Sequence, residues 1–135
     1  VWDIREGFEP ILPAILYDVS LPISAMDDYV QKVQEGVIAR WPGGDLFALG
    51  HIADGNLHFF IRPNEEGDDL HGEADQAVYT PLAGLNGSVS AEHGIGTEKL
   101  AWLGASRSED EIAVMRLMKK SLDPKNILNR GRVLA

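Results

Sequence analysis

The chain has 135 residues, 44% of them apolar, no cysteine and a formal net charge of -9. This length suits one domain with a buried core, and the lack of cysteine excludes disulfides and thiolate metal sites. The negative charge argues against a nucleic-acid partner. The sequence contains no run of about 18 apolar residues, the length expected of a membrane-spanning helix.

The first predicted elements are a strand and a helix. The segment "ILYDVSLPI", residues 15–23, is rich in apolar and β-branched residues, which is typical of a strand. Ser24 is placed to cap a helix that runs to about Arg40. Its apolar stripe at helical spacing comprises Met26, Tyr29, Val30, Val33, Val37 and Ile38.

A β-hairpin is predicted next, because "DLFALGH" and "LHFFIR" are joined by "IADGN". With Asp54-Gly55 as a two-residue turn, His51 faces His58 and the two imidazoles can bind one ion. The alternative is that both histidines only cap the hairpin ends by hydrogen bonds.

The acidic run "EEGDDLHGEAD", residues 65–75, has six acids and no base. It reads as a solvated loop and the start of a helix over residues 68–85, which Pro81 should break or kink. A calcium loop is the sharper alternative, but the alternating acids that such loops use are missing. His71, within this run, is expected to be exposed.

The last predicted elements are a short strand in "GSVSAEHGIG" and a helix that starts at Ser108. Ser108 and Glu111 form a capping box, and the helix stops at the "DP" of residues 123–124. The order β-α-β-β-α-β-α predicts an α+β domain: a largely antiparallel sheet with helices on one face, in a ferredoxin-like arrangement plus a C-terminal helix.

A third candidate metal ligand follows the last strand. Glu92 and His93 are consecutive and precede Gly94 and Gly96, which allow the backbone to turn there. Two histidines and one glutamate form a known zinc set that leaves one position open. His93 then stays available as a proton acceptor.

Two other functions remain open at this point. A metal-dependent hydrolase would use Glu98 or His93 to activate water, and a non-catalytic α+β interaction module would use the histidines structurally. Neither a P-loop nor an H-E-x-x-H helix is present.

Three ordered motifs carry a resemblance to a known family: "GHIADGNLH", "SAEHGIGTEK" and "MKKSLDPKNILNRGRVL". They resemble the C-terminal half of FAD-linked oxidases of the vanillyl-alcohol oxidase type. Within this family the resemblance is to the D-2-hydroxyacid dehydrogenase branch, which includes D-lactate dehydrogenase (cytochrome), glycolate oxidase and D-2-hydroxyglutarate dehydrogenase. It implies that residues 1–135 are the C-terminal part of a substrate-binding domain, with the FAD-binding domain upstream.

The resemblance also implies roles for particular residues. His51, His58 and Glu92 would ligate a divalent metal, usually zinc, and His93 would take the substrate's hydroxyl proton while hydride passes to FAD. Arg5 would pair with the substrate carboxylate, although a surface ion pair with Glu6 or Glu9 is an equal alternative.

The resemblance also implies contacts with the substrate and the cofactor, and one departure from the family pattern. Asn56 would face the substrate or flavin, with turn formation as its alternative role, and Asn129 would contact the cofactor. Glutarate-type members carry a lysine where Leu16 and Tyr17 stand here, so we expect a substrate without a second carboxylate.

The expected partners are a small 2-hydroxy acid and an electron acceptor, which would be a cytochrome, an electron-transfer flavoprotein or a quinone. A second copy of the chain, in a homodimer, is a further candidate partner. The expected location is the cytoplasm, with membrane association only through the acceptor, or the mitochondrion in a eukaryote.

Overall fold

The computed structural model describes residues 13–67 and 69–134, and this part of the chain is α+β, which confirms the predicted class. The sheet is antiparallel with the order β1-β3-β2, where the strands are β1 (Ile15–Ser20), β2 (Asp45–His51) and β3 (Asn56–Arg62). The described α-helices are α1 (Met26–Arg40), α2 (Leu70–Tyr79), α3 (Leu103–Ser106) and α4 (Glu109–Leu122).

Alternation along β1 and β3 gives the sheet two different faces. One face is buried in the hydrophobic core with α1 and α2, and it carries Ile15, Tyr17, Val19, Leu57, Phe59 and Ile61. The other face, here called the open face, carries Leu16, Asp18 and Ser20 of β1 and Asn56, His58 and Phe60 of β3. The candidate site lies on the open face.

Helices α1 and α2 pack closely on the core face. A Cβ added to Gly36 would lie 3.4 Å from the Cβ of Ala77, so the two helices approach without an intervening side chain. The Tyr29 hydroxyl donates to the carbonyl of Val78 at 2.8 Å, and its ring meets that of Phe59 edge-on. Burial of each such side chain contributes roughly 1.5–3 kcal/mol, which makes this layer a firm support for the sheet.

The hairpin register differs from the prediction. His51 pairs with Asn56, and His58 pairs with Leu49, so the two histidines are not directly opposed. The connection holds a 3₁₀ turn, Ile52–Asp54, which Gly55 closes with a φ of 68°. This longer turn replaces the predicted two-residue turn at Asp54-Gly55 and shifts the register.

Two further local predictions are wrong. Ser24 does not cap α1, because residues 23–25 form a 3₁₀ turn and no side-chain cap bond is made at Ala25. The predicted fourth strand is reduced to one bridge, Ser20 with Ser88. The Ser88 hydroxyl donates to the carbonyl of Ser90 and accepts from its N–H, and such side-chain bonds compete with a strand ladder.

Other boundaries are confirmed. Helix α2 ends at Tyr79, before Pro81, since proline cannot continue the hydrogen-bond pattern. Ser108 and Glu111 form the capping box of α4. None of the helices in the described residues is long and apolar enough to cross a membrane.

The acidic run is more than a solvated loop. Arg40 forms ion pairs with Glu65 and Glu73, each at 2.7 Å. Asp75 accepts hydrogen bonds from the Tyr17 hydroxyl at 2.8 Å and from the Trp102 indole at 3.2 Å. Acids of this run therefore tie α2 to α1, β1 and the segment before α3.

Candidate metal centre

The structure brings His51, His58 and Glu92 together on the open face. One potential ligand atom of each lies within 4.8 Å of the others. Nε2 of His51 is 3.9 Å, and Nε2 of His58 is 4.0 Å, from Oε1 of Glu92. The sequence-predicted ligand set is therefore one spatial cluster, in spite of the changed hairpin register.

The register explains how the two histidines still meet. His51 is opposite Asn56, and side chains two residues apart on a strand share a face. His58 is thus the diagonal neighbour of His51, a position from which rings reach each other. Their ring centroids are 5.9 Å apart.

Glu92 reaches the cluster from the turn after residue 90, and Asn56 holds its carboxylate. Nδ2 of Asn56 donates to Oε1 of Glu92 at 2.6 Å. Asn56 is 4% exposed, and its Oδ1 has no hydrogen-bond partner among the described residues. An amide fixed in this way orients the carboxylate toward the two imidazoles.

The donor set fits a divalent metal such as zinc. Around zinc, with bonds of about 2.1 Å, neighbouring ligand atoms lie about 3.4 Å apart. The three ligand atoms lie within 4.8 Å of one another, wider than this spacing, and the side chain of His51, 65% exposed, has room to rotate toward the other two. Three such ligands leave a position open for a substrate oxygen.

His93 stands beside this cluster and faces Asp18 instead of the other histidines. Its Nδ1 lies 3.8 Å from Oδ2 of Asp18, which is too long for a hydrogen bond. Burial raises the pKa of the Asp18 carboxyl, but hydrogen bonds from the backbone N–H groups of His93 and Glu92, together with the nearby charge of Lys99, lower it further than burial raises it. The net pKa lies below 3.8, so Asp18 is an anion.

A cavity of about 760 Å³ opens at the cluster. One part of its wall is polar and includes the side chains of His51, His58 and His93. Another part is apolar and is formed by Leu16, Leu49 and Phe60. Such a cavity has the volume and mixed lining of a small-molecule site. An organic ligand in this cavity would lie against His51 and His58, two of the three candidate metal ligands.

The remaining predicted residues lie elsewhere. Arg5 lies outside the described residues. Asn129 is exposed with a φ of 47° and is not among the residues that line the cavity, although Arg132 is. His71 is exposed and takes no part in the cluster, as predicted. Glu98, the alternative base for a hydrolase, lines the same cavity.

Sequence reasoning missed Asp18, the buried residue that supports the site. A signal was present, since Asp18 is the single acid in a largely apolar strand segment. At alternate positions with Leu16 and Ser20, it belongs to the same face of the strand. Without the pairing of β1 with β3, however, nothing in the sequence placed it opposite His58.

Comparison with known proteins decides the family. The model for FAD linked oxidases, C-terminal domain, matches residues 1–133. The chain belongs to this family. The match covers the first two motifs of the resemblance in full and the third as far as Val133.

Relatives of this FAD linked oxidase domain include D-2-hydroxyglutarate dehydrogenases. That of Xanthomonas citri pv. viticola is 38% identical over 98% of this chain and 30% of its own length. The mitochondrial proteins of Arabidopsis thaliana and Bos taurus are 38% and 36% identical over 98% and 99% of this chain, and 24% and 25% of their own lengths. The chain thus spans less than a third of these curated relatives.

Proposed function

We propose that this chain is the C-terminal, substrate- and metal-binding part of an FAD-dependent dehydrogenase that oxidises a D-2-hydroxy acid to a 2-oxo acid. The observation that carries the proposal is the cluster of His51, His58 and Glu92, whose two histidines line a cavity together with His93. Membership in the FAD linked oxidase family supports the redox chemistry over the hydrolase and interaction-module alternatives.

His93 is the residue we assign to proton transfer. Its Nδ1 faces Asp18, so Nε2 is the nitrogen that takes the substrate's hydroxyl proton. The α-hydrogen leaves with its electron pair, and the electrons of the broken O–H bond form the new C=O bond. FAD supplies the acceptor for that hydride.

The three ligands prepare the hydroxyl for this step. His51, His58 and Glu92 would hold a metal ion whose positive charge next to the substrate oxygens would favour loss of the hydroxyl proton. Asn56 keeps the Glu92 carboxylate in place. Arg5 remains our candidate for binding the substrate carboxylate, and Asn56 and Asn129 our candidates for contacts with substrate and cofactor.

The apolar part of the cavity indicates the substrate's side chain. Leu16, Leu49 and Phe60 lie along the open face from His58, where the group attached to the α-carbon would extend. We propose an apolar side chain, in contrast to the dicarboxylate in the names of the relatives.

Electron transfer from the reduced flavin requires an acceptor, for which we propose a cytochrome, an electron-transfer flavoprotein or a quinone. We propose that the protein is located in the cytoplasm, or in the mitochondrion if it comes from a eukaryote. The names of the eukaryotic relatives describe them as mitochondrial. Homodimer formation remains a prediction.

A substrate screen on the full-length protein that contains this chain tests the proposal. We expect dye reduction with D-2-hydroxy acids, no activity with their L-enantiomers, and one divalent metal per chain by elemental analysis. His58→Ala should abolish both metal content and turnover, whereas His71→Ala, a change at an exposed histidine outside the cluster, should alter neither. A protein without flavin that hydrolyses esters when zinc is added would contradict the redox assignment.

A further inference from the structure

Asp18 is the buried side chain on the open face that the proposed reaction does not use. It lies on β1 opposite His58, and its side chain is 2% exposed. An ionised carboxylate is rarely buried without partners that offset its desolvation. The partners of Asp18 therefore indicate its role.

Oδ2 of Asp18 accepts hydrogen bonds from one short segment. The backbone N–H groups of Glu92 and His93 donate to it at 2.8 and 2.9 Å, and the Ser90 hydroxyl at 3.2 Å. Lys99 in turn donates to the Ser90 hydroxyl at 3.1 Å. Successive backbone N–H groups that converge on one oxygen form an anion-binding nest, and here the anion belongs to the protein itself.

The segment that Asp18 holds is exposed, although Val89 before it and Ile95 after it contact the core. The side chains of Glu92 and His93 are 50% and 70% exposed, so core packing does not fix them. Residues 91–93 are bends without helix or strand bonds, and Gly94 follows with a φ of 82°. The direction in which the two side chains project is thus set by the orientation of their peptide groups.

We propose that Asp18 is a positioning residue, an anchor that holds the backbone of Glu92 and His93 so that one side chain points at the two imidazoles and the other at the substrate. Consecutive residues on an extended strand point to opposite sides, and the anchored bend allows both to serve one site. Asn56 holds the carboxylate of Glu92, whereas Asp18 holds its backbone N–H. The inference rests on the proposed metal site and dehydrogenase reaction.

The test compares Asp18→Asn with the native full-length protein. Asparagine keeps the size of the side chain but loses its charge and replaces one carboxylate oxygen by an amino group. We expect faster hydrogen exchange at the amides of Glu92 and His93, and zinc binding weakened about 10- to 100-fold in competition with a chelator, as for other residues that support metal ligands. Asp45→Asn is the matched control, since Asp45 pairs with Arg62 farther along the same face, and it should leave zinc affinity unchanged.

Kinetics separates positioning from a general loss of fold. At saturating zinc, with rates expressed per molecule of bound flavin, we expect kcat of Asp18→Asn to stay at least tenfold low while KM changes less. Ser90→Ala, which removes one of the three donors, should give a smaller loss in the same direction. Native zinc affinity and native kcat per flavin in Asp18→Asn would overturn the proposal, as would an equal loss in Asp45→Asn.

The two proposals fail in different ways. If the native protein binds zinc but oxidises no 2-hydroxy acid, the dehydrogenase assignment is wrong, while weaker zinc binding and faster amide exchange in Asp18→Asn still establish the anchor. If the native protein is active and Asp18→Asn matches it in zinc affinity, amide exchange and kcat, only the anchor is wrong.

Discussion

The imidazole of His51 stands edge-on to that of His58, with ring centroids 5.9 Å apart and planes at 86°, although the two residues are not partners in the ladder. His51 pairs with Asn56. The same Asn56 binds the carboxylate of Glu92. One residue of β3 thus lies next to all three candidate ligands, and the diagonal arrangement is what leaves room for it.

Close approach of β2 to β3 at Gly50 underlies this arrangement. A Cβ at Gly50 would lie 2.1 Å from the backbone oxygen of Asn56, so a side chain there must push the strands apart. We expect Gly50→Ala to lower the free energy of unfolding by about 1–3 kcal/mol and to weaken zinc binding, since His51 follows directly. Thermal unfolding and chelator competition measure the two effects.

Gly104→Ala is the control for this change. A Cβ at Gly104 meets nothing within 4 Å, and Gly104 lies in α3, where alanine is favoured over glycine by about 1 kcal/mol. Its zinc affinity should be native. Unchanged zinc affinity in Gly50→Ala would show that the strand spacing does not set the separation of the histidines.

The histidine pair could be predicted because its two residues are close in sequence. A hairpin with histidines on both strands brings them near each other for several turn lengths, so the wrong register for Asp54-Gly55 still gave the right pair. The fold class followed from the order of the predicted strands and helices, which small errors in their boundaries do not change. The predicted capping box of α4 is local chemistry within four residues and was confirmed.

What could not be predicted depends on contacts between distant residues. Asp18 and His93 are separated by 75 positions, and the bridge between Ser20 and Ser88 is what lays the segment before His93 against β1. The predicted fourth strand failed for a related reason. Hydrogen bonds between Ser88 and Ser90, and from residues 92 and 93 to Asp18, take the groups that a ladder would need.

His93 should be separable from the metal ligands. In His93→Ala we expect the zinc content to stay at the native level while kcat/KM for the 2-hydroxy acid falls about 10²- to 10⁴-fold, the usual contribution of a general base. Elemental analysis and steady-state kinetics on the full-length protein provide the two readouts, and His71→Ala provides the control. Loss of zinc in His93→Ala would mean that His93, and not Glu92, completes the ligand set.

Leu16 should influence the choice of substrate. It lies on β1 opposite Phe60 of β3, lines the cavity and is 59% exposed. A longer cationic side chain therefore fits there. We expect Leu16→Lys to raise kcat/KM for 2-hydroxyglutarate relative to an apolar 2-hydroxy acid by about tenfold or more, since a charge-assisted hydrogen bond contributes about 1.5–3 kcal/mol.

Leu16→Met, which keeps the wall apolar at similar volume, is the matched control and should preserve the native preference. A native protein that already prefers 2-hydroxyglutarate over every apolar acid tested would contradict the proposed substrate class.

The end of α4 should respond to acid through Asp123. The bond from the Lys119 ammonium and the backbone N–H of Ile127, with that of Leu128, lower the pKa of Asp123 to about 2 from an ordinary value of 3.8. A carboxyl whose pKa is lower in the folded protein than in the unfolded chain stabilises the fold above the unfolded value. That stabilisation is lost as the pH falls from about 4 to about 2.

Carboxyl chemical shifts measured by NMR should therefore give a midpoint near pH 2 for Asp123. Lys119→Met removes the cation and should move the midpoint up toward the ordinary value, because the charged form of the carboxyl loses its strongest partner. Lys120→Met changes the neighbouring charge without touching Asp123 and should leave the midpoint near 2. A midpoint close to 4 in the native protein would mean that the turn after α4 is not held by this carboxylate in solution.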